Sequence, residues 1–223
     1  MLAFASWRPG PVGGTLAGMR AALAHLRQAD PALAELIARV GPCRLEVNRQ
    51  AQPYDALVRA VAYQQIHGAA ARAIFSRFCA AFPGPGTPAP AEVLAAGPEV
   101  FRAAGFSARK EITIRALAAA AVEGAIPSRR AAARLSDAAL IERLVPIHGI
   151  GRWSVEMLLI FTLGRPDVLP VDDWGIREGY RLLRDLPEQP RPRALAEATA
   201  AWSPWRSVAS WYLWRAVEFA RKR

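Results

Sequence analysis

Apolar side chains recur at intervals of three and four residues along most of this chain, the spacing that gives a helix one buried face. No alternating apolar and polar run lasts beyond a few residues, so strands are not expected. The pattern predicts helices over 18–29 and 31–40, with Asp30-Pro31 opening the second. Residues 41–53 carry no helical period and read as a loop crossing to a second lobe. Further helices are predicted over 53–66, 68–82, 90–96, 98–104, 107–123 and 136–144. Pro83-Gly84-Pro85-Gly86 interrupts that series, and Ser136 is a suitable cap for its last member. Residues 1–17, rich in Gly and Pro, read as loose.

The pattern changes between Trp153 and Leu163, where nearly every position is apolar. A helix that is apolar all round is buried in the middle of a fold. Gly164 ends it, Asp172 or Asp173 opens the next helix, which runs to about Leu183, and a last helix runs from Pro204 to about Arg221. The fold class expected is all-α.

A length of 223 residues with 52% hydrophobic content suffices for one large domain or two lobes. The formal charge of +10 suggests a polyanionic partner. Lys110 and Lys222 are the only lysines, however, and an Arg-, Ala- and Pro-rich composition also follows from a GC-rich genome. Charge alone therefore leaves nucleic-acid binding an even proposition. No apolar run reaches the roughly 20 residues that span a bilayer, and the first residues lack the basic start and apolar run of a signal peptide. The expected location is the cytoplasm, with no membrane partner. Cys43 and Cys79 lie far apart and outside any ligand motif, so they read as packing residues. His25, His67 and His148 are too scattered for a zinc site.

Two segments carry candidate chemistry. Residues 144–156 read L-V-P-I-H-G-I-G-R-W-S-V-E, and residues 169–177 read L-P-V-D-D-W-G-I-R. Gly149 and Gly151 are expected to make a tight turn through positive φ. Leu144, Ile147 and Ile150 would anchor that turn, and the helix starting near Arg152 would offer backbone N–H groups to a phosphate oxygen. Together these segments resemble the helix-hairpin-helix/GPD superfamily of DNA glycosylases. Within it, the DNA-3-methyladenine glycosylase II family is the nearest likeness. The resemblance runs from about Asp30 to Arg215, in the compact form without an N-terminal mixed α/β domain. It implies one domain over 18–223 with two helical lobes and an active-site cleft between them. One lobe would take residues 53–144, and the other the N-terminal helices plus about 145–223.

The same resemblance assigns roles. Asp173 falls on the catalytic aspartate, leaving Asp172 to cap the helix. Breaking an N-glycosidic bond leaves a cationic, oxocarbenium-like sugar, which a fixed carboxylate stabilises while orienting the attacking water. Bifunctional members place a Schiff-base lysine where this chain has Trp153, so strand cleavage is not expected. The four closely spaced cysteines of the iron–sulfur members are absent as well. A duplex base must be flipped out to be reached, and aromatic faces hold an electron-deficient alkylpurine. Trp153, Met157 and Trp214 are the pocket residues implied. Trp214 is placed by register from W-S-P-W-R-S, while Trp202 and Trp205 read as core packing. A-Y-Q-Q-I-H resembles the helix-end segment that fills the gap left by the flipped base, with Gln65 at the wedge position between Gln64 and Ile66, and His67 in place of a serine. Gly149, Ile150, Gly151 and Arg152 form the phosphate-binding hairpin. The carbonyls of Val145, Ile147 and Ile150 would hold a structural Na+ or K+, with no other cofactor required.

The function implied is a monomeric, monofunctional glycosylase excising alkylated purines from double-stranded DNA. Two other readings stay open: a glycosylase of this fold for deaminated or oxidised bases, and a non-catalytic DNA-binding module. A mere binder has no use for Asp173, because a carboxylate facing DNA would cost affinity.

Overall fold

The computed structural model describes residues 16–66 and 68–221, and all regular structure among them is helical. The helices are α1 (Leu16–Ala29), α2 (Pro31–Val40), α3 (Pro53–Tyr63), α4 (Gly68–Ala80), α5 (Pro90–Ala95), α6 (Pro98–Ala104), α7 (Ala108–Val122), α8 (Arg129–Ala132), α9 (Asp137–Leu144) and α10 (Arg152–Leu158). A π-helical turn (Leu159–Leu163) continues α10, and α11 (Trp174–Arg184), α12 (Pro192–Ala198) and α13 (Arg206–Arg221) complete the chain. The loose N-terminal segment expected over 1–17 lies outside the described residues up to position 15, and so does His67. Among the described residues no helix is long and apolar enough to cross a membrane.

Most predicted helices are present, with three informative departures. First, α8 and α12 were not anticipated; at four and seven residues they are too short to show a period. Second, α3 stops at Tyr63 rather than 66, because Gln64 leaves helical geometry (φ −59°, ψ 131°) and Gln65 turns left-handed (φ 58°). Third, the uniformly apolar stretch after Arg152 widens into π-helix at Leu159, a local change that side-chain periodicity does not report.

The chain divides into two compact units: one takes the described residues up to Asn48 together with those from Gly164 onward, the other spans Arg49–Leu163. Residues 145–163 therefore belong with the middle of the chain and not, as expected, with its C-terminal part. The reason is packing, since α10 lies against α3 and α9 and its apolar residues Val155, Met157 and Leu158 are buried.

In the discontinuous unit, Asp30 ties three elements together. Its Oδ1 caps α2 by accepting the Leu33 N–H at 3.1 Å, and its Oδ2 accepts from the Trp202 indole at 2.9 Å and from Arg184. Trp202 is fully buried, as core packing requires, whereas Trp205 is only half-buried. Helix α11 packs on α13 through Gly175 and Gly179, one helical turn apart. A side chain at Gly179 would overlap the Leu213 carbonyl, and one at Gly175 would meet the Trp214 ring at 2.9 Å. In the continuous unit, Phe78 packs edge-on to Phe82 and Phe106 with centroids at 5.2 and 5.3 Å, around a core shared by α4, α6 and α7. Both cysteines are free, and burial raises the Cys43 thiol to about 12 and the Cys79 thiol to about 11, far from thiolate chemistry.

Candidate functional site

The carboxylate at the head of α11 is held by its own helix and by α13. Asp173 is the N-cap: its Oδ1 accepts the Ile176 N–H at 2.9 Å. The same oxygen accepts the Trp214 indole N–H at 2.9 Å. The side chain is only 3% exposed, so both donors replace lost water and fix the group. That geometry depends on Gly175, whose missing Cβ lets the Trp214 ring approach within reach of Asp173. The helix-capping role expected for Asp172 belongs instead to Asp173, and Asp172 is exposed in the preceding turn. The reason is geometric: α11 opens at Trp174, so Asp173 is the residue at its start, and its carboxylate reaches the N–H of Ile176 in the first turn.

W-S-P-W-R-S acquires a function that its aromatic residues had hidden. Its polar members clamp the segment that leads into Asp173. Arg206 donates to Asp167 Oδ1 and Oδ2 at 2.7 Å each, and Ser203 donates to Oδ2 at 2.8 Å. The Ser207 hydroxyl accepts the Val168 N–H at 2.9 Å and donates to the Arg165 carbonyl at 2.7 Å. The Arg206 hydrogen bonds hold the Asp167 carboxyl below the ordinary carboxylate range. A group depressed in the folded state contributes stability above its unfolded pKa of about 3.9 and loses it as pH falls through the folded value. Asp167→Asn should therefore be less stable than the parent in urea melts at pH 7, and the gap should narrow progressively as pH falls below about 3.9. A gap that persists at acid pH would mean the contact is not ionic.

In the other unit the hairpin runs from Leu144 at the end of α9 to Arg152 at the start of α10. Ile147 N–H bonds to the Leu144 carbonyl and Ile150 N–H to the Ile147 carbonyl, 3.1 and 3.0 Å, and all three side chains are buried anchors. Gly149 has positive φ (79°), and a Cβ there would overlap the Thr113 hydroxyl. Gly151 does not share that conformation: it is the extended N-cap of α10 (φ −96°, ψ 170°). Nothing lies within 4 Å of the position a Gly151 Cβ would take, so neither the backbone conformation nor a neighbouring side chain of this structure requires glycine there. Arg152 is 61% exposed at this helix start, and its Nε donates at 2.9 Å to Glu156, which is 3% exposed.

Gln64, Gln65 and Ile66 follow α3 with three different roles. Gln65 is exposed on a left-handed backbone, while Ile66 is half-buried. Gln64 is anchored inward: its amide donates to Ser154 Oγ at 3.2 Å and to the Gly149 carbonyl at 3.4 Å. On α10, Trp153 is half-buried and Met157 is buried within the unit.

Several participants escaped sequence reasoning. Lys110 donates to the carbonyls of Ala62 and Gln64 at 2.9 Å each, and its rarity in an arginine-rich chain was the one available signal. Thr113, Ser154 and the Asp167–Arg206 pair carried no signal at all, being ordinary residues distant in sequence from what they touch. Trp174, directly after Asp173, is 39% exposed beneath the Arg221 guanidinium (5.7 Å).

Residues 58–205 match the family of HhH-GPD superfamily base excision DNA repair proteins. The chain is 44% identical over 197 residues to DNA-3-methyladenine glycosylase 1 of Schizosaccharomyces pombe, covering 88% of this chain and 86% of that protein. A solved structure of the 3-methyladenine DNA glycosylase of that yeast, in complex with abasic DNA, superimposes with a TM-score of 0.82, covering 87% of this chain and 95% of the other. A DNA-3-methyladenine glycosidase from Bacillus halodurans, 30% identical, gives 0.75 over 90% and 91% of the two chains. With a glycine hairpin followed later in the sequence by a buried aspartate that caps a helix, and with relatives similar along nearly their whole length, this chain belongs to the HhH-GPD superfamily of base excision DNA repair proteins.

Proposed function

We propose that this chain is a monofunctional DNA glycosylase that flips alkylated purines, of the 3-methyladenine and 7-methylguanine type, out of double-stranded DNA and hydrolyses their N-glycosidic bond. The observation that carries this reading is the Asp173 carboxylate, buried and fixed by the Ile176 N–H and the Trp214 indole. A charge so placed stabilises positive charge without reorganising during the reaction. The bond from C1′ to the purine breaks, and its electron pair leaves with the base and neutralises the ring's alkylation charge. The sugar becomes cationic above Asp173, water adds to C1′, and the proton passes to the carboxylate and then to solvent. Because the leaving base is already cationic, no strong general acid is needed. Trp214, whose indole donates to Asp173, supplies an aromatic face to a cationic purine, Gln65 fills the vacated stack, and the bare backbone at Gly151 receives a phosphate.

The hairpin donor set fits a monovalent ion. The carbonyls of Val145, Ile147 and Ile150 are neutral, hard oxygen donors, which suit Na+ or K+ better than a transition metal. Among the described residues no cluster of His, Cys, Asp or Glu could hold a metal ion. When bound, such an ion would add positive charge beside the phosphate.

The deciding experiment is base release from a panel of lesion duplexes, run with and without borohydride. Free alkylpurine, an intact abasic strand and no trapped protein–DNA adduct are expected, since only an imine is reducible to an adduct. Release confined to uracil or 8-oxoguanine duplexes would shift the assignment to deaminated or oxidised bases. Efficient trapping would overturn the monofunctional reading, and silence on every duplex would leave a binding module.

A further inference from the structure

Gln65 holds a backbone conformation that a non-glycine residue adopts reluctantly, with φ at 58°. Such a state is disfavoured by roughly ten- to a hundredfold and persists only where its surroundings over-determine it. The surroundings here are specific. Helix α3 ends immediately before this turn, and its last carbonyls have no helical partners. The Lys110 ammonium closes that end, donating to the carbonyls of Ala62 and Gln64, with the positive charge at the negative pole of the helix. Burial pulls Lys110 below the ordinary lysine range, so those two carbonyl dipoles are what offset the desolvation of its charge.

Gln64, the residue before the strained one, is then gripped twice. Lys110 holds its carbonyl, while its amide reaches Ser154 at the first turn of α10 and the Gly149 carbonyl in the hairpin. One turn beyond Lys110 on the same face of α7, Thr113 occupies the space that Gly149 leaves bare. One helix face thus supports both the turn that carries Gln65 and the turn that would carry phosphate.

We propose that Lys110, acting through Gln64, is a positioning residue that holds Gln65 presented and in register with the phosphate hairpin, so that gripping the backbone and filling the stack occur together. This rests on the assignment of Gln65 as the residue that enters the vacated stack. Lys110 touches no reacting atom. Its effect falls on the flipping step, where unpairing and unstacking must be met, and not on bond cleavage at Asp173.

The test separates those steps. Lys110→Met keeps the aliphatic stem and removes the charge, and Lys110→Arg keeps the charge. Single-turnover release of 7-methylguanine is compared on two duplexes, one with cytosine opposite the lesion and one with an abasic analogue opposite it, where flipping costs less. Lys110→Met should lower release from the paired duplex by about tenfold, equivalent to about 1.4 kcal/mol in the barrier. The second duplex should fall by less than about twofold, and Lys110→Arg should recover most of the loss. An equal fall on both duplexes, or no fall on the paired one, would overturn the proposal. If the parent protein releases no base from either duplex, the glycosylase reading fails by itself. The inference is then decided by 2-aminopurine fluorescence in the same paired duplex: a smaller rise with Lys110→Met supports it, and an equal rise ends it.

Discussion

Replacing Asp173 with asparagine is expected to cut base release by on the order of 100-fold or more, while the protein folds and binds damaged DNA as before. Asparagine is the informative substitution because its amide oxygen accepts the same two hydrogen bonds, from Ile176 N–H and the Trp214 indole, that Asp173 Oδ1 accepts now. Asn and Asp also cap helices about equally well, so little stability is at stake. What disappears is the negative charge beneath a sugar becoming cationic. Alanine would confuse the result by costing the cap about 1 kcal/mol and leaving a buried indole N–H unsatisfied. The measurement is single-turnover release of 7-methylguanine beside a thermal melt and a binding isotherm. Near-normal release by the asparagine variant would remove Asp173 from the chemistry, and a comparable loss from Asp172→Asn would move the assignment to the exposed neighbour.

The second large effect is expected at the hairpin, where two glycines two residues apart should behave differently. Gly149→Ala forces a side chain onto a left-handed backbone, at about 1–2 kcal/mol. It also drives the new methyl into the Thr113 hydroxyl, for about 1–3 kcal/mol more. Unfolding should therefore occur about 4–20 °C lower, with loss of affinity for damaged and undamaged duplexes alike. Gly151→Ala should melt like the parent, because its backbone is extended and the space around it is open. It should nonetheless lose affinity for both duplexes, because a methyl group would stand between the α10 N–H groups and a phosphate. Parent-like melting of Gly149→Ala would refute the tight approach of Thr113. Parent-like DNA affinity of Gly151→Ala would take that backbone out of the phosphate contact.

The contrast between these glycines marks where sequence reading stopped. G-I-G suggested two residues in one unusual conformation, but only Gly149 has positive φ. A glycine signals that a side chain is unwanted; whether the backbone, a neighbour or a ligand excludes it depends on what lies opposite. The paired aspartates posed the same difficulty. Two adjacent carboxylates at a helix start differ by one residue, and which one caps depends on the N–H that each can reach. Asp173 reaches Ile176, so capping and the proposed chemistry fall on one side chain.

The sequence by itself determined the helices longer than about two turns, because their apolar period is long enough to register. It also determined the all-α class, the hairpin and the helix start that carries Asp173, because those features are local: a glycine turn, a helix start and a short spacing between them. The tertiary structure alone decided the rest. It assigned residues 145–163 to the middle unit, turned Gln64 inward and Gln65 outward, brought Lys110 to the end of α3, and made W-S-P-W-R-S a clamp on the segment before Asp173. Each of these joins residues far apart in the chain through hydrogen bonds or close packing. No periodicity encodes such a contact, because its partners meet only after the helices between them have packed.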